Sequence, residues 1–457
     1  MKPITARELA QILGTTVSVG DREVVVSGGV STDTRKLPDH SAFFALRGEN
    51  FNGDHFARKA LENGAVVAVV QSWEGEAPPS GTAVIVVTDT LLCLQQLACW
   101  WRKQLDIPVV AITGSNGKTS TKDFTAAVLS KRYQVSATKG NLNNHIGVPL
   151  TVLSTTPEHT AAVWEMGMNH SGEIAPLCEI ARPKYGIITN IGTAHIEFLG
   201  SREAIAEEKG TLARALPEDG KLFVPAACDF NEYFRQRTHA MLIPVGNGRG
   251  LVRAENLRFT GDGSQFDLVI HGETPVSVSL PVPGRHMVTN ALLAAGVGWK
   301  LGVPPEEIAD ALQYAVLTGG RLRRFDYEGV TVIDDTYNAN PESMAAAIDT
   351  LAETPVEAGS RRIIVLGRMG ELGPFAPAAH QRTGELAAAR NLTVIAVGQG
   401  AEGIAVGAGD APYFTDFDEA ASWLTRETKP GDAVLFKGSR TATIEKVMHA
   451  AFPRTSC

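Results

Sequence analysis

The chain has 457 residues, which is too long for one hydrophobic core and indicates about three domains. A hydrophobic fraction of 44% and a charged fraction of 20% are typical of a globular protein and exclude a disordered chain. The formal net charge of −8 argues against a broad nucleic-acid-binding surface, and no stretch approaches about 18 consecutive apolar residues, so we expect no membrane span.

The cysteines and the N-terminus bear on the cellular compartment. Cys93, Cys99, Cys178, Cys228 and Cys457 lack paired spacing, so the sequence predicts neither a zinc site nor a disulfide framework. The first residues, MKPITARELAQIL, carry acid and base early and lack the apolar run of a signal peptide. We therefore expect a reducing, cytoplasmic location.

The first 86 residues predict a small N-terminal α/β domain. Short apolar runs alternate with polar turns at residues 24–26, 42–46 and 65–70, and a proline- and glycine-rich stretch, 76–81, interrupts the pattern near the end.

Residues 87–318 predict a central domain with a parallel sheet. A helix is expected over 91–104, and nearly uninterrupted apolar runs at 109–112, 161–166 and 186–191 indicate strands that are buried on both faces. Between residues 250 and 283 the apolar residues alternate with polar ones, which predicts an antiparallel patch.

Residues 319–457 predict a Rossmann-like C-terminal α/β domain. Strands are expected at 330–335, 362–366, 394–397 and 433–436, with helices between them. Several of these strands end in glycine or a carboxylate, where open α/β sheets place their ligands.

A glycine-rich loop follows the first strand of the central domain. In VVAITGSNGKTS the backbone N–H groups would face phosphates, Lys118 would reach the outer ones, and the Thr119 hydroxyl would hold Mg²⁺. The predicted nucleotide-binding residues are Thr113, Gly114, Ser115, Asn116, Gly117, Lys118, Thr119 and Ser120. Ile112 stands where a standard phosphate loop has its first glycine, so an ordinary glycine turn is the alternative.

Nine segments in order along the chain together resemble the Mur ligases, ATP-dependent acid–amino-acid ligases of bacterial peptidoglycan assembly. The segments are STDTR (31–35), AITGSNGKTS (111–120), KGNLNNHIGVPLT (139–151), EMGMNHSGEI (165–174), TNIGTAHIEFLGS (189–201), EEKG (207–210), PGRHMVTNALLAA (283–295), DDTYNANPESM (334–344) and FKGSR (436–440). Within the family, GNLNN, DTYNANPESM and KGSR favour the step that adds D-alanyl-D-alanine to UDP-N-acetylmuramoyl-tripeptide.

The resemblance implies an activity and its substrates. ATP would phosphorylate the peptide carboxylate, and the amine of D-alanyl-D-alanine would open the acyl phosphate, with metal and cationic groups holding the anions in line. Two Mg²⁺ ions and a monomeric enzyme are expected. A sibling ligase that adds another amino acid, or glutamates to folate, is the close alternative, and a P-loop switch protein with a protein partner is the distant one.

The resemblance also implies the catalytic and metal-binding residues. Thr119, Glu165 and His195 would hold Mg²⁺, and Lys209 would do so as a carbamate. Local sequence alone allows a solvated turn residue at Glu165, an ordinary surface or core histidine at His195, and a charged, solvated helix end at Lys209. A carbamate requires an uncharged amine to capture CO₂ and converts a cation into a carboxylate-like ligand.

Further ATP contacts are implied on the C-terminal side. Asn290 would recognise adenine, although an asparagine that opens the following helix, 291–300, is an equal alternative. Asp335 would bind the ribose, and Arg321 would reach the phosphates when the domains close. Asn340 followed by Pro341 predicts a helix N-cap.

The substrate contacts are implied in three places. Lys437 and Arg440 would hold the free carboxylate of the dipeptide, with ordinary solvent-facing cations as the alternative. The other predicted substrate-binding residues are Ser31, Thr32, Arg35, Phe44, Gly48, Asp54 and His55 for the UDP end, and Asn143, Asn144, Asn169, His170, Asn338 and Asn340 elsewhere.

One position departs from the family pattern. Arg368 stands where the family usually has aspartate, in VLGRMGELG. This change of sign puts in doubt a role of that position in orienting the dipeptide, and leaves Glu371 and His380 as candidates.

Overall fold

The computed structural model describes residues 1–74, 77–260 and 263–453, so Cys457 and part of the 76–81 stretch lie outside it. Three large sheets are built from residues 19–86, 109–280 and 323–437, which is the expected three-domain α/β organisation. The domain limits 1–86, 87–318 and 319–457 stay predictions, because the extent of a sheet does not define where a linker ends.

The N-terminal domain contains a mostly parallel five-stranded sheet in the order β2-β9-β8-β5-β4. Its elements are β1 (Ile4–Thr5), α1 (Ala6–Ile12), β2 (Val19–Gly20), β3 (Val25–Val26), β4 (Val30–Ser31), β5 (Ser41–Phe44), β6 (Arg47–Gly48), β7 (Phe51–Asn52), α2 (Ala57–Glu62), β8 (Ala65–Val70) and β9 (Ala83–Val86). Every residue of β8 is buried, as expected of an interior strand of this kind.

The central domain carries a nine-stranded sheet in the order β11-β12-β10-β13-β14-β15-β16-β17-β18. Its elements are α3 (Thr90–Arg102), β10 (Val109–Thr113), α4 (Lys118–Leu129), β11 (Val135–Ala137), α5 (Gly147–Ser154), β12 (Ala161–Glu165), α6 (Ile174–Ala181), β13 (Tyr185–Ile188), α7 (Ile196–Leu199), α8 (Arg202–Ala215), β14 (Lys221–Pro225), α9 (Asn231–Arg235), β15 (Met241–Asn247), β16 (Val252–Thr260), β17 (Gly263–Ile270), β18 (Val276–Leu280), α10 (Arg285–Lys300) and α11 (Pro305–Gln313). Strands β11 to β16 pair in parallel, and β16, β17 and β18 pair antiparallel, which confirms the predicted antiparallel patch.

The register of the central strands positions the site. Strand β10 lies between β12 and β13, and Ile112 pairs with Glu165 while Thr113 pairs with Ile188. Because parallel strands end at one edge of a sheet, the loops after these three strands meet there.

The C-terminal domain has a six-stranded sheet in the order β19-β20-β24-β21-β22-β23, parallel except for β19. Its elements are β19 (Arg323–Tyr327), β20 (Val330–Asp334), α12 (Pro341–Glu353), β21 (Arg362–Leu366), α13 (Ala376–Ala389), β22 (Thr393–Val397), α14 (Glu402–Gly407), β23 (Tyr413–Phe414), α15 (Phe417–Glu427), β24 (Ala433–Lys437) and α16 (Glu445–Ala451). Single 3-10 turns lie at Gly53–Phe56, Gly373–Phe375 and Arg440–Ala442.

The hydrophobic core joins the domains. One cluster of buried side chains includes residues of all three domains, and a second one covers the other face of the C-terminal sheet. None of the described helices combines the length and the apolar character that a membrane crossing needs.

Several elements differ from their predicted bounds or were not predicted; strand β13, for example, ends at Ile188 and not at residue 191. Helix α10 begins at Arg285, earlier than the predicted start at residue 291. The edge strand β19, RRFDY, was not predicted, because its exposed and charged residues do not form an apolar run.

Candidate functional site

A cavity of about 480 Å³ lies between the central and C-terminal domains, at the edge of the central sheet where β10 and β12 end. Its wall includes the glycine-rich loop and the start of α4 on one side, and on the other the segment after β20 and Lys437, the last residue of β24. Such a position, between two domains and beyond the carboxyl ends of parallel strands, is where α/β proteins bind nucleotides.

The glycine-rich loop has a backbone that only glycine permits. Gly117 has φ +77°, and a Cβ there would lie 2.7 Å from the Asn290 side chain. Gly114 has φ +150°, and its Cβ would lie 1.8 Å from Thr189 Oγ1. Both glycines thus allow close packing of the loop, and the first residues of α4, whose N-cap provides no side-chain hydrogen bond, line the cavity.

Lys118 opens α4 and lies against the loop. Its Nζ donates a hydrogen bond to Gly114 O at 2.9 Å. Burial lowers the pKa of Lys118, with Glu165 opposing the shift and Arg321 adding to it. Lys118 is half-buried, and an ammonium group whose hydrogen bond here is to a single carbonyl is available to an incoming anion.

Glu165, the last residue of β12, faces the same loop. Only 2% of the residue is exposed, and its carboxylate accepts hydrogen bonds from Thr119 Oγ1 and Asn143 Nδ2, both at 2.8 Å. The alternative of a solvated turn residue is therefore wrong, because the neighbouring strand β10 brings the phosphate-loop threonine against this carboxylate.

Lys209 lies inside helix α8 and is 1% exposed. Burial places its pKa well below the usual value, Lys118 adds to this shift, and Glu208 opposes it. The alternative of a solvated helix end is wrong, since α8 packs this side chain inward. Within the described part of the chain, its Nζ forms no hydrogen bond or ion pair.

The C-terminal domain brings two cations to the cavity. Arg321 donates from Nη2 to Thr119 Oγ1 at 3.1 Å, and its guanidinium lies 3.9 Å from the centre of the Tyr337 ring. Lys437 Nζ contacts Asp335 Oδ2 at 2.6 Å. Burial raises the pKa of Asp335, and Lys437 opposes that shift.

Three more contacts connect the central and C-terminal domains beside the cavity. Asn340 Nδ2 donates to Asn116 Oδ1 at 2.7 Å. The Glu342 carboxylate accepts hydrogen bonds from Thr193 N and Oγ1, both at 3.0 Å. His195 Nδ1 lies 2.6 Å from Glu371 Oε2, so the two domains are in contact around the glycine-rich loop.

Comparison with known proteins decides the family. Three family models match consecutive parts of the chain: Mur ligase family, catalytic domain, over residues 27–101; Mur ligase middle domain over 112–298; and Mur ligase, glutamate ligase domain, over 320–440. The chain belongs to the Mur ligase family.

Similar Mur ligases are known from several bacteria. The chain is 36% identical to the UDP-N-acetylmuramoyl-tripeptide--D-alanyl-D-alanine ligase of Escherichia coli, covering 100% of both chains. It is 37% identical to the ligase of the same name from Bacillus subtilis, covering 97% of both.

Solved Mur ligase structures have the same fold. The crystal structure of MurF from Acinetobacter baumannii matches with a TM-score of 0.90 and 33% identity, covering 99% of this chain and 100% of that one. MurF from Thermotoga maritima in complex with ADP matches with a TM-score of 0.82 and 26% identity, covering 92% and 96%.

Most of the predicted residues meet at the cavity of this Mur ligase. Those that line it are Ser115, Asn116, Gly117, Lys118, Thr119, Ser120, Asn143, Asn144, Glu165, Asn169, His195, Asn290, Arg321, Asp335, Asn338 and Lys437. Asn290 lies inside α10 and not at its start, so the alternative that it opens the helix is wrong. Asn340 caps α12 as predicted, and Pro341 is the first helical residue.

Other predicted residues lie elsewhere. His170 is exposed and lies 3.4 Å from Glu173, while Arg440 is exposed and forms an ion pair with Glu445. Thr113 and Gly114 precede the part of the loop that lines the cavity.

The residues predicted for the UDP end stay within the N-terminal domain. Asp54 accepts hydrogen bonds from the backbone N–H groups of Gln71 and Ser72, and Arg35 pairs with Asp33. Phe44 is fully buried, so its ring supports the sheet and offers no surface to a ligand. Of the others, Ser31 is buried, Thr32 is half-buried, and Gly48 and His55 are exposed.

Sequence reasoning missed several residues that line the cavity, among them Asn190, His286, Tyr337 and Glu342. Asn190 accepts a hydrogen bond from Asn116 N at 2.8 Å, and His286, Tyr337 and Glu342 line the wall. Each lies inside or beside a motif that carried the family resemblance, so position within those motifs was the available signal.

Proposed function

We propose that this Mur ligase uses ATP to join D-alanyl-D-alanine to the terminal carboxylate of UDP-N-acetylmuramoyl-tripeptide. Its family membership and the names of full-length relatives at 36–37% identity support this activity. The proposed setting is the cytoplasm, with the chain acting as a monomer.

One observation carries the proposal within the site. The half-buried Lys118, the Thr119 hydroxyl and the buried Glu165 carboxylate lie together at a helix N-terminus, in a cavity shared by two domains. Cationic and N–H groups favour phosphate there, while a carboxylate next to phosphate requires a metal ion between them. This donor set fits ATP with Mg²⁺.

The metal ligands of the proposal are Thr119, Glu165, His195 and, as a carbamate, Lys209. In the described ranges no group of three or more His, Cys, Asp and Glu side chains has metal-binding geometry, so ATP oxygens would complete the coordination. Bound Mg²⁺ would neutralise the charge that develops on the transferred phosphoryl group. Arg321, which already reaches Thr119, would place a further cation beside the phosphates.

Lys209 fits the proposed carbamate. Carbamylation requires an uncharged amine, and burial together with the nearby Lys118 favours the neutral form of this side chain. The carbamate would place an anion near the Lys118 ammonium, where the unmodified side chain offers only a neutral amine. Lys209 would then supply an anion on the metal side of the cavity.

The remaining steps follow from the substrates. The γ-phosphoryl group passes to a carboxylate oxygen, and ADP leaves. The dipeptide amine then attacks the acyl carbon, the carbon–oxygen bond to phosphate breaks with its electron pair going to phosphate, and the amine nitrogen loses a proton. The cations at Lys118 and Arg321 hold the anionic groups in line.

The remaining proposed contacts bind ATP and the UDP-linked peptide substrate. Asn290 would bind adenine and Asp335 the ribose, and both face the cavity. Asn143, Asn144, Asn169 and His170 would follow the route of the peptide. The UDP end would lie on the N-terminal domain at Ser31, Thr32, Arg35, Gly48, Asp54 and His55.

The test is phosphate release measured over a matrix of acceptors and amino acids. The acceptors are UDP-N-acetylmuramate carrying one, two or three residues, and the nucleophiles are D-alanyl-D-alanine, single amino acids and glutamate. We expect release only with the tripeptide nucleotide and the dipeptide together. Equal release with another pair would contradict the proposal and identify a sibling activity.

A further inference from the structure

The loop that follows β13 carries two residues that line the cavity, Asn190 and His195. We call residues 190–195 the His195 loop. His195 has φ +65°, in the left-handed region that residues other than glycine seldom adopt. Such a backbone conformation persists when the surrounding contacts hold it. The contacts of this loop therefore determine the position of the His195 side chain.

The central domain holds the first part of the His195 loop against the glycine-rich loop. Asn190 Oδ1 accepts a hydrogen bond from Asn116 N at 2.8 Å. Two residues later, Gly192 N donates to Ser115 Oγ at 2.9 Å. The two loops therefore form one unit, and a shift of one changes the surroundings of the other.

The C-terminal domain holds the second part of the His195 loop through two carboxylates. Glu342, in the first turn of α12, accepts from Thr193 N at Oε1 and from Thr193 Oγ1 at Oε2, both at 3.0 Å. The packing is close, since a Cβ at Gly192 would lie 2.8 Å from Glu342 Oε2. Glu371 Oε2 lies 2.6 Å from His195 Nδ1. Thr193, two residues before His195, is thus fixed by a domain to which it does not belong.

We infer that Glu342 is a positioning residue for phosphoryl transfer, because it fixes the His195 loop through Thr193. This inference rests on the proposed ligase function, in which His195 is a ligand of Mg²⁺. Two hydrogen bonds from one residue to both oxygens of a carboxylate set the orientation of that residue as well as its distance. Since Glu342 comes from the C-terminal domain, contact between the two domains places His195 and so favours phosphoryl transfer.

The experiment measures phosphate release and metal binding in wild type and in Glu342→Ala. We expect kcat to fall about 10- to 100-fold, because a misplacement of about 1 Å near the reacting groups has an effect of this size. The KM values for the dipeptide and for the tripeptide nucleotide should change little. Mn²⁺ prefers the same oxygen ligands as Mg²⁺, and its binding to the complex with ADP, followed by electron paramagnetic resonance, should weaken several-fold.

Glu342→Gln separates position from charge. Its amide oxygen can accept from Thr193 N, and its amide N–H can donate to the Thr193 oxygen, so this variant should keep most of the activity and of the Mn²⁺ binding. A loss as large as in Glu342→Ala would mean that the negative charge itself is required, which would overturn a positioning role.

Thr193→Val tests whether Glu342 acts through Thr193. The substitution removes the hydroxyl donor and keeps the backbone N–H, so we expect a smaller loss of kcat than in Glu342→Ala. The double variant should be as active as Glu342→Ala alone, because the partner of the hydroxyl is already gone. Losses that multiply in the double variant would show that Glu342 acts elsewhere.

Glu353→Ala is the matched control at the same domain interface. Glu353 ends α12 and pairs with Arg285 of α10, so it also connects the two domains, but neither residue lines the cavity. This variant should leave kcat unchanged. Equal losses in Glu353→Ala and Glu342→Ala, or a rise in KM without a fall in kcat, would make the assignment wrong. Failure of the wild type to ligate the dipeptide would instead contradict the proposed function.

Discussion

Two buried lysines of this Mur ligase have opposite surroundings. Lys437, at the end of β24, contacts Asp335 at 2.6 Å and donates to Asn338 O at 3.0 Å. Lys209, inside α8, has Lys118 as a charged neighbour and no described partner, and its pKa lies well below the usual value. Lys437 and Asp335 compensate each other's charge without a ligand, whereas Lys209 forms no described ion pair, and burial together with the nearby Lys118 favours its neutral amine.

Removing a cation from the central domain should cause the largest loss of enzymatic activity. Lys118→Ala should reduce phosphate release about 10⁴-fold, because the ammonium that meets the phosphates is lost. Its effect on unfolding should be small, since only one hydrogen bond to Gly114 is removed. The matched control is Lys131→Ala, a more exposed lysine of the same domain that pairs with Asp310. Comparable loss in both variants would mean that Lys118 has no special role.

Removing one partner of the Lys437–Asp335 pair should lower the stability of the protein. Lys437→Met leaves the largely buried Asp335 without its cation and should lower the free energy of unfolding by about 3 kcal/mol at pH 7, measured by chemical denaturation. The double variant with Asp335→Asn should recover most of this loss. If the single variant is as stable as the wild type, the two regions do not differ as described.

Substitution of Lys209 should lower activity without lowering stability, in contrast to substitution of Lys437. Lys209→Ala should lower activity about 100-fold, and short carboxylic acids such as formate and acetate should restore part of it if the side chain acts as a carbamate. Lys209→Met should be at least as stable as the wild type, because it removes an unpaired amine from the interior. An activity loss that no carboxylic acid restores would assign Lys209 a structural role only.

The smallest expected effect is a pH dependence of the free energy of unfolding, which comes from His286 and its neighbour Lys437. Burial, with Lys437 adding to it, lowers the pKa of His286 from 6.5 to about 4, so the folded protein keeps this ring neutral. Between pH 6.5 and 4 the unfolded chain binds the proton first, and stability falls as the pH falls by about 1 kcal/mol per unit. Denaturation curves at pH 7, 6 and 5 should show a shallower fall for His286→Gln. An unchanged slope would contradict this account.

The sequence predicted the local features of the fold well. The phosphate loop, the strand before it and the Asn340 cap are set by neighbouring residues, so they could be identified without tertiary contacts. The order of the family motifs then indicated three domains and a shared nucleotide site.

What the sequence could not predict depends on contacts across long separations. The letters EEKG indicate a solvated helix end, and only the packing of α8 buries Lys209. Lys437 pairs with Asp335, 102 residues earlier in the chain, so the FKGSR motif alone could not show that its charge has a partner. The sequence shows that Arg368 reverses the usual charge at its position. Only the structure shows that no described carboxylate pairs with it.

The side chain of Asn340 divides its two polar atoms between two domains. Its Oδ1 accepts from Ser343 N at 3.0 Å at the start of α12, while its Nδ2 donates to Asn116 in the phosphate loop. Aspartate, serine and threonine begin helices equally well, but none offers a donor and an acceptor in this planar arrangement. Aspartate would present an oxygen to the oxygen of Asn116, so helix initiation would survive while domain closure weakened.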